Sequence, residues 1–282
     1  MFTLKKITAK IVNRLLSPLD LKLSRVSERD RLNNKIEKLK KQASEHRASY
    51  KSLNAEIEKL QKKDLEHQIN YNFWSWLNQQ YQINTIIDIG ANNGDFAAFL
   101  AQKFNPKVVY AFEPLESCLA DLEAKKTIIP NLEILNLALS NTNGRANFYQ
   151  NAYAPSSSLL PVSHYSKDFF PQTAQETSTT VEVAKLDDVL DIEKIPQDIL
   201  IKIDCQGTED LVITGGKEIF SVAKCVLIEA SFVPMYENQP LFAEIYRILV
   251  DLGYRFAGIK NQISEPKTGR PLFAHCLYVR PL

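Results

Sequence analysis

No pair of cysteines in this chain has the spacing of a zinc knuckle or a redox motif. Cys118, Cys205, Cys225 and Cys276 are its only four, and three sit in apolar strand-like or helical surroundings, where a thiol acts as a small core residue. A reduced, cytoplasmic protein is the expectation. The chain also lacks any run approaching the roughly 18–20 apolar residues that span a bilayer. Its N-terminus has no apolar h-region followed by a small-residue cleavage site, so no secretory signal is read there. Glycine and proline are missing between Leu19 and Tyr81, which excludes tight turns from that stretch and leaves it free to be helical.

Net charge is nearly absent as well, at +1 over 282 residues, but it is unevenly placed. Residues 1–69 carry 17 Lys and Arg against 9 Asp and Glu, a net +8, and the remainder carries 17 against 24, a net −7. A basic arm on an acidic body suits a membrane surface or an acidic partner for the arm. No nucleic-acid partner is expected. Within residues 1–19, Leu4, Ile7, Ile11 and Leu15 share one helical stripe, with Lys5, Lys6, Lys10 and Arg14 elsewhere. Such a helix either lies on an anionic membrane or packs its stripe on protein. Over residues 28–67, Leu32, Ile36, Leu39, Ala43, His46, Tyr50, Leu53, Ile57 and Leu60 keep a 4-3 spacing. That heptad pattern reads as a coiled coil, either joining two copies of the chain or forming a solvated stalk. The arm, 1–69, is therefore read apart from an α/β domain at 70–282.

The domain's pattern is strand, turn, helix, repeated. Ile86, Ile87 and Ile89 form a β-branched run of the kind buried on both sheet faces, followed by Gly90, Asn92, Asn93 and Gly94, then a helix carrying Phe96, Ala97, Phe99 and Leu100. Val108–Phe112 repeats the strand and ends at Glu113, and 131–141 supplies a third strand ending near Asn136. Two strand-like segments, 144–150 and 179–184, bracket a Ser- and Pro-rich loop at 152–165, the sort of long loop that often acts as a lid. Ile199–Ile203 runs into Asp204, Gln206 and Gly207, and Cys225–Ser231 carries Glu229 near its end. A helix near 242–252 and a closing hairpin across KTGR finish the chain. Strands alternating with helices imply a mostly parallel, Rossmann-like sheet covered on both faces.

Ligands of such sheets bind at the carboxyl ends of the strands, which here carry Asp88, Gly90, Glu113, Asn136, Asp204 and Glu229. An acidic residue about 20 positions beyond the glycine turn accepts both ribose hydroxyls of an adenosine, and Glu113 stands there. Ribose occurs in NAD and in S-adenosylmethionine, and the glycines separate the two. A dinucleotide fingerprint needs a second close-approach glycine for the pyrophosphate, and Asn92 stands in that place. Asp88, just before the turn, suits a cationic ligand such as the amino group of a methionine moiety. Asp88, Gly90, Asn92, Gly94, Glu113 and Asn136 are thus the expected cofactor contacts, with S-adenosylmethionine the expected cofactor. An NAD-linked oxidoreductase, or a scaffold with a vestigial site, are the competing readings.

DIGANNGDF, AFEP, SSSL, KIDCQGTED and LIEAS, in that order, resemble the FkbM-type methyltransferase family over about residues 83–280. The resemblance implies an S-adenosylmethionine-dependent O-methyltransferase whose final strand runs antiparallel, acting on a hydroxyl of a sugar, glycan, glycolipid or related natural product. Family members often close with an acidic residue before the last aromatic strand, and here FAHCLYV places His275. Methyl transfer to a hydroxyl needs a proton acceptor. Asp204 is the first candidate, with Glu229 and His275 beside it. Glu209 has a competing role at the start of its helix, and no metal-ligand set is read from the spacing.

Overall fold

The computed structural model describes residues 21–45, 50–152 and 154–281. The chain divides into two compact units, Met1–Trp76 and Leu77–Leu282. In the larger, β1 (Thr85–Ile89) is buried at every position because isoleucines occupy both of its faces. It pairs in parallel with β2 (Val108–Phe112) on one side and β7 (Ile199–Ile203) on the other. With β3 (Leu132–Leu135), β8 (Cys225–Ser231), β9 (Arg255–Ser264) and β10 (Pro271–Val279) they make a seven-stranded sheet in the order β3-β2-β1-β7-β8-β10-β9. The closing hairpin inserts β10 between β8 and β9, antiparallel to both.

Helices α3 (Asp95–Phe104), α4 (Glu116–Lys125), α7 (Glu209–Gly215), α8 (Lys217–Val222) and α9 (Phe242–Asp251) connect these strands. Ile87, Ile89, Ile201, Ile203, Val226 and Ile228 share a core cluster with Val212, Phe220, Leu249 and Tyr254. Buried strand side chains of this kind supply most of the fold's driving force, at about 25 cal/mol per Å² of apolar surface removed from water.

The third strand ends just before Asn136, as expected, and there the chain switches sheets. The Asn136 amide donates to the carbonyls of Glu113 and Pro114 at 2.9 and 3.1 Å. Beyond it, β4 (Ala138–Leu139) joins β5 (Gly144–Asn151) and β6 (Glu176–Ala184) in a separate three-stranded sheet, order β4-β6-β5. Between β5 and β6 the loop forms the short α5 (His164–Phe169), capped by the Ser163 hydroxyl. A further short helix, α6 (Leu186–Val189), leads toward β7.

One expectation is refined: the heptad stretch is carried by two helices, α1 (Leu21–Glu45) and α2 (Tyr50–Tyr81). Ile36 and Leu39 of α1 are buried together with Ile57 of α2, Leu60 packs against them, and Lys35 pairs with Glu56 at 2.9 Å. Part of the apolar seam is thus covered within the chain. The basic stripe of residues 1–19 lies outside the described residues. No described helix is long and apolar enough to cross a membrane.

Candidate active site

The site begins at two charges inside the sheet. Asp88 of β1 lies directly opposite Lys202 of β7 in the parallel register. The Lys202 ammonium is 2.9 Å from Asp88 Oδ1, and the side chains are 5% and 0% exposed, so this is a dry ion pair. Burial opposes the charge on Lys202, but Asp88, Asp204 and Glu229 around it hold its pKa above the ordinary value. The same ammonium donates to the carbonyl of Gly90 at 2.8 Å and, more weakly, to that of Ile89 at 3.4 Å. Asp88 therefore already has its cation. Asp88 is thus closed from solvent beneath the turn, and no surface of it is open to the cationic ligand expected there.

Above this pair, Gly90 adopts φ +74°, and a β-carbon there would stand 2.0 Å from the Asp204 carbonyl oxygen. Only glycine lets the turn after β1 pass the end of β7 this closely. Asn92 follows in a left-handed conformation, φ +49°. Its amide N–H donates to Glu113 Oε2 at 2.8 Å, while the Leu115 N–H donates to Oε1 at 2.9 Å. A carboxylate has about four lone-pair sites, so each Glu113 oxygen retains capacity for a further donor. Burial raises the Glu113 carboxyl above its usual range, against the lowering pull of those two amides.

Glu113 borders a cavity lined by Gly90 and Asn92 from the first turn, by Phe112, Leu115, Leu137 and Phe148, and by Asp204 and Gln206 from the end of β7. A carboxylate with spare acceptor sites, flanked by apolar and aromatic walls, fits the ribose and base of an adenosine. Gly94 does not line it. That residue starts α3 at φ +77°, against Leu122 and Lys125. Asn136 also stays outside, holding the chain just after β2.

At the opposite rim, three adjacent strands bring Asp204, Glu229 and His275 together. His275 Nε2 is 3.8 Å from both Asp204 Oδ2 and Glu229 Oε2. Gln206 donates its amide to Asp204 Oδ1 and, at 3.1 Å, to Glu229 Oε1. Its own carbonyl oxygen accepts from the Tyr236 hydroxyl at 2.6 Å. Burial would raise the Asp204 carboxyl, but Lys202, His275 and Gln206 outweigh it and hold it at about 2. Glu229 goes the other way, pushed well up by burial and by the neighbouring Asp204 and Glu209 carboxylates.

The Ser-rich loop covers this junction. Ser158 donates to the Gln206 backbone carbonyl at 2.6 Å, and Ala154, Pro155, Ser157 and Leu159 complete the cavity wall. Lys202, Gln206 and Ser158 lie within KIDCQGTED and SSSL but were given no role of their own, and Tyr236 was not singled out from the sequence. Lys202 left a signal, being a lysine among isoleucines in a strand buried on both faces, which demands a buried partner. Tyr236 left none, since it reaches the site only through the fold.

A seven-stranded sheet of this order, with a carboxylate after the second strand bordering a cavity beside the first turn, is a Rossmann-like α/β domain. The chain belongs to the FkbM methyltransferase domain family, whose model matches residues 88–256. Among curated relatives, 2-O-methyltransferase NoeI of Sinorhizobium fredii (strain NBRC 101917 / NGR234) is 28% identical over 162 residues, which cover 55% of this chain and 66% of that protein, just under two thirds. Similar solved structures include magnesium protoporphyrin IX methyltransferase from Synechocystis PCC 6803 with bound SAM (12% identity, TM-score 0.40, covering 79% of this chain and 83% of that one). Another is M. jannaschii TYW2 in complex with AdoMet (17% identity, TM-score 0.37, covering 71% and 70%).

Two stability predictions follow from the buried charges. Lys202→Met leaves Asp88 without its cation and should cost about 3–5 kcal/mol, while the double variant Asp88→Asn/Lys202→Met should recover much of that loss. Urea midpoints decide this, and two losses that simply add would refute the pairing. Glu209 is the second case. Burial, opposed by the Gly207 amide that donates to it at 3.0 Å, raises its carboxyl from 4.5 to about 7. A raised carboxyl contributes stability that is full below pH 4.5 and lost as pH rises through about 7. Glu209→Gln should therefore gain on the wild type by up to about 3 kcal/mol between pH 5 and 8, measured by denaturant melts across that range.

Proposed function

We propose that this protein transfers a methyl group from S-adenosylmethionine to a hydroxyl of a sugar, glycan, glycolipid or related natural product. The observation that carries the reading is the convergence on one cavity of the Glu113 cradle and the Asp204 rim. Glu113 would hold the ribose hydroxyls, Asn92 and Gly90 the edge of the nucleoside, and Phe112, Leu115 and Phe148 the apolar walls around the base. When bound, the cofactor supplies an electrophilic methyl on sulfur: the acceptor oxygen gains the methyl, the sulfur keeps the bonding pair, and the hydroxyl proton is left for the protein.

That proton is the task of the rim. Asp204, ionised throughout the neutral range, aligns the hydroxyl by accepting its hydrogen bond. Glu229 and His275 stand directly behind as the groups to which the proton passes. The Ser158 loop, tied to Gln206, excludes water from the line of transfer. Alignment of nucleophile and methyl contributes up to about 7–11 kcal/mol, and proton acceptance about 10²–10⁴ in rate. The similarity to a 2-O-methyltransferase supports a hydroxyl acceptor.

For the arm we propose contact of residues 1–19 with an anionic membrane surface and self-association through 28–67. Leu32 and Leu60, which the helix pair leaves half-buried, are the surface for a second copy.

Glu113→Ala should weaken S-adenosylmethionine binding by at least about tenfold, the loss of roughly 1.4 kcal/mol of charge-assisted hydrogen bonding. Unchanged affinity in calorimetry removes the ribose assignment. Asp204→Asn should keep cofactor affinity but lower turnover by about 10²–10⁴, and NAD binding in place of S-adenosylmethionine would return the oxidoreductase reading. Sedimentation should show dimers for the full chain and monomers after removal of residues 1–69. Equal particle masses per chain would end the proposal for the arm.

A further inference from the structure

The register of the last strands does more than complete the sheet. Antiparallel pairing sets His275 of β10 directly opposite Glu229 of β8, and β8 runs parallel to β7, whose end carries Asp204. One imidazole nitrogen and two carboxylate oxygens thereby face a common point, all within 4.8 Å of one another. The three side chains are sheltered, being 26%, 14% and 24% exposed for Asp204, Glu229 and His275. We propose that Asp204, Glu229 and His275 bind one divalent cation of the magnesium or manganese type.

Four features of the site support this. The donors are two hard oxygens and one imidazole, a set suited to manganese, iron or zinc and, with water completing the shell, to magnesium. They are oriented from behind: Gln206 occupies Asp204 Oδ1 and Glu229 Oε1 and leaves Oδ2 and Oε2 turned toward His275. Such outer hydrogen bonds are what fixes metal ligands in place, and Gln206 is itself held by the Tyr236 hydroxyl. The nearest buried ammonium, Lys202, touches Asp88 and the Gly90 carbonyl and offsets the cluster's negative charge only from a distance, so a cation in direct contact would still be favoured. Finally, His275 stands 3.8 Å from each carboxylate and all three ligand atoms lie within 4.8 Å of one another, against the roughly 3 Å between adjacent ligands at about 2.1 Å from a metal. Side-chain rotations of about 1–2 Å would close that gap without moving the strands.

The cation deepens the methyl-transfer reading and rests on it for its purpose. Three protein ligands leave open positions, and Asp204 places them at the cavity wall. An acceptor with two adjacent oxygens, as on a sugar ring, would chelate there. That would fix which hydroxyl meets the methyl and lower its pKa, as metal coordination does for bound water, so with the cation bound the proton would leave to solvent and Glu229 and His275 would hold the cation in place of receiving it. The substrate class inferred is therefore a vicinal diol.

The test uses the full chain without cofactor, titrated with MnCl2 while free Mn2+ is followed by electron paramagnetic resonance. One Mn2+ site per chain is expected, weakened at least about tenfold in Glu229→Gln and in His275→Ala and by about 10–100-fold in Gln206→Ala. Thermal melts check folding, and Gln206→Ala, which leaves every ligand in place, carries the comparison if a ligand variant does not fold. Absence of Mn2+ binding by the wild type, or equal binding by all three variants, overturns the site. Parallel calorimetry with S-adenosylmethionine separates the two proposals. A protein that binds S-adenosylmethionine but no Mn2+ loses only the cation, whereas one that binds Mn2+ but no S-adenosylmethionine loses the methyl-transfer reading.

Discussion

The Asp88–Lys202 pair is the interaction on which the rest of the site depends. Both residues interrupt strands otherwise dominated by isoleucine, and each alone would place an uncompensated charge in a dry sheet. Opposed across β1 and β7 they satisfy one another, and in doing so they specify the register of the two central strands. A shift of that register would strand both charges, a much larger penalty than a mismatch of aliphatic side chains. An ammonium also has three donors. Lys202 stands against Asp88 as an ion pair and donates to the carbonyls of Gly90 and Ile89, so the charge that sets the register also shapes the first turn.

From that constraint the donor half of the site follows step by step. With β1 and β7 in register, Gly90 passes so close to the end of β7 that no side chain fits between them. The turn then presents the Asn92 amide to Glu113, and Glu113 in turn spans to Leu115 at the start of the next helix. Each element is held by a backbone group of its neighbour, so the cradle is organised before any ligand enters it. The second sheet closes the cavity from the other side, because the chain leaves the main sheet at Asn136. It returns only after the Ser158 loop has been tied down at Gln206.

The donor half was legible in the sequence because its determinants are local. A strand, a glycine turn, an asparagine in place of a glycine and a carboxylate about 20 residues on are all visible as spacing. The family resemblance extended that to Asp204 through KIDCQGTE. Less was legible wherever position depends on pairing. Asp88 was read as a ligand contact because its partner is more than a hundred residues away and only sheet register joins them. The heptad stretch was read as one continuous coil because its periodicity does not reveal where a chain folds onto itself, and Ile36 meets Ile57 through that fold. The strand end near Asn136 was legible, but the move to a second sheet beyond it depends on a side-chain amide reaching two carbonyls, which no periodicity records. Tyr236 and Gln206 meet across 30 residues through a loop with no regular pattern.

The electrostatics of the acceptor rim place limits on how this site can work. The sulfonium donor is cationic in the ground state and loses that charge toward the transition state. A strongly negative rim would therefore stabilise the reactants more than the transition state, which slows the reaction rather than speeding it. Asp204 and Glu229 escape this only if their charge is offset. The structure offers Lys202 beneath Asp204, and the raised proton affinity of Glu229 removes part of the remainder. On the proposed function, what is left for the rim is alignment of the hydroxyl and disposal of its proton, both of which gain from rigid placement. That placement is supplied by Gln206, wedged between the two carboxylates and pinned by Tyr236. The amide that orders the rim is carried on the backbone that anchors the Ser158 loop, so covering the cavity and aligning the acceptor are one structural event.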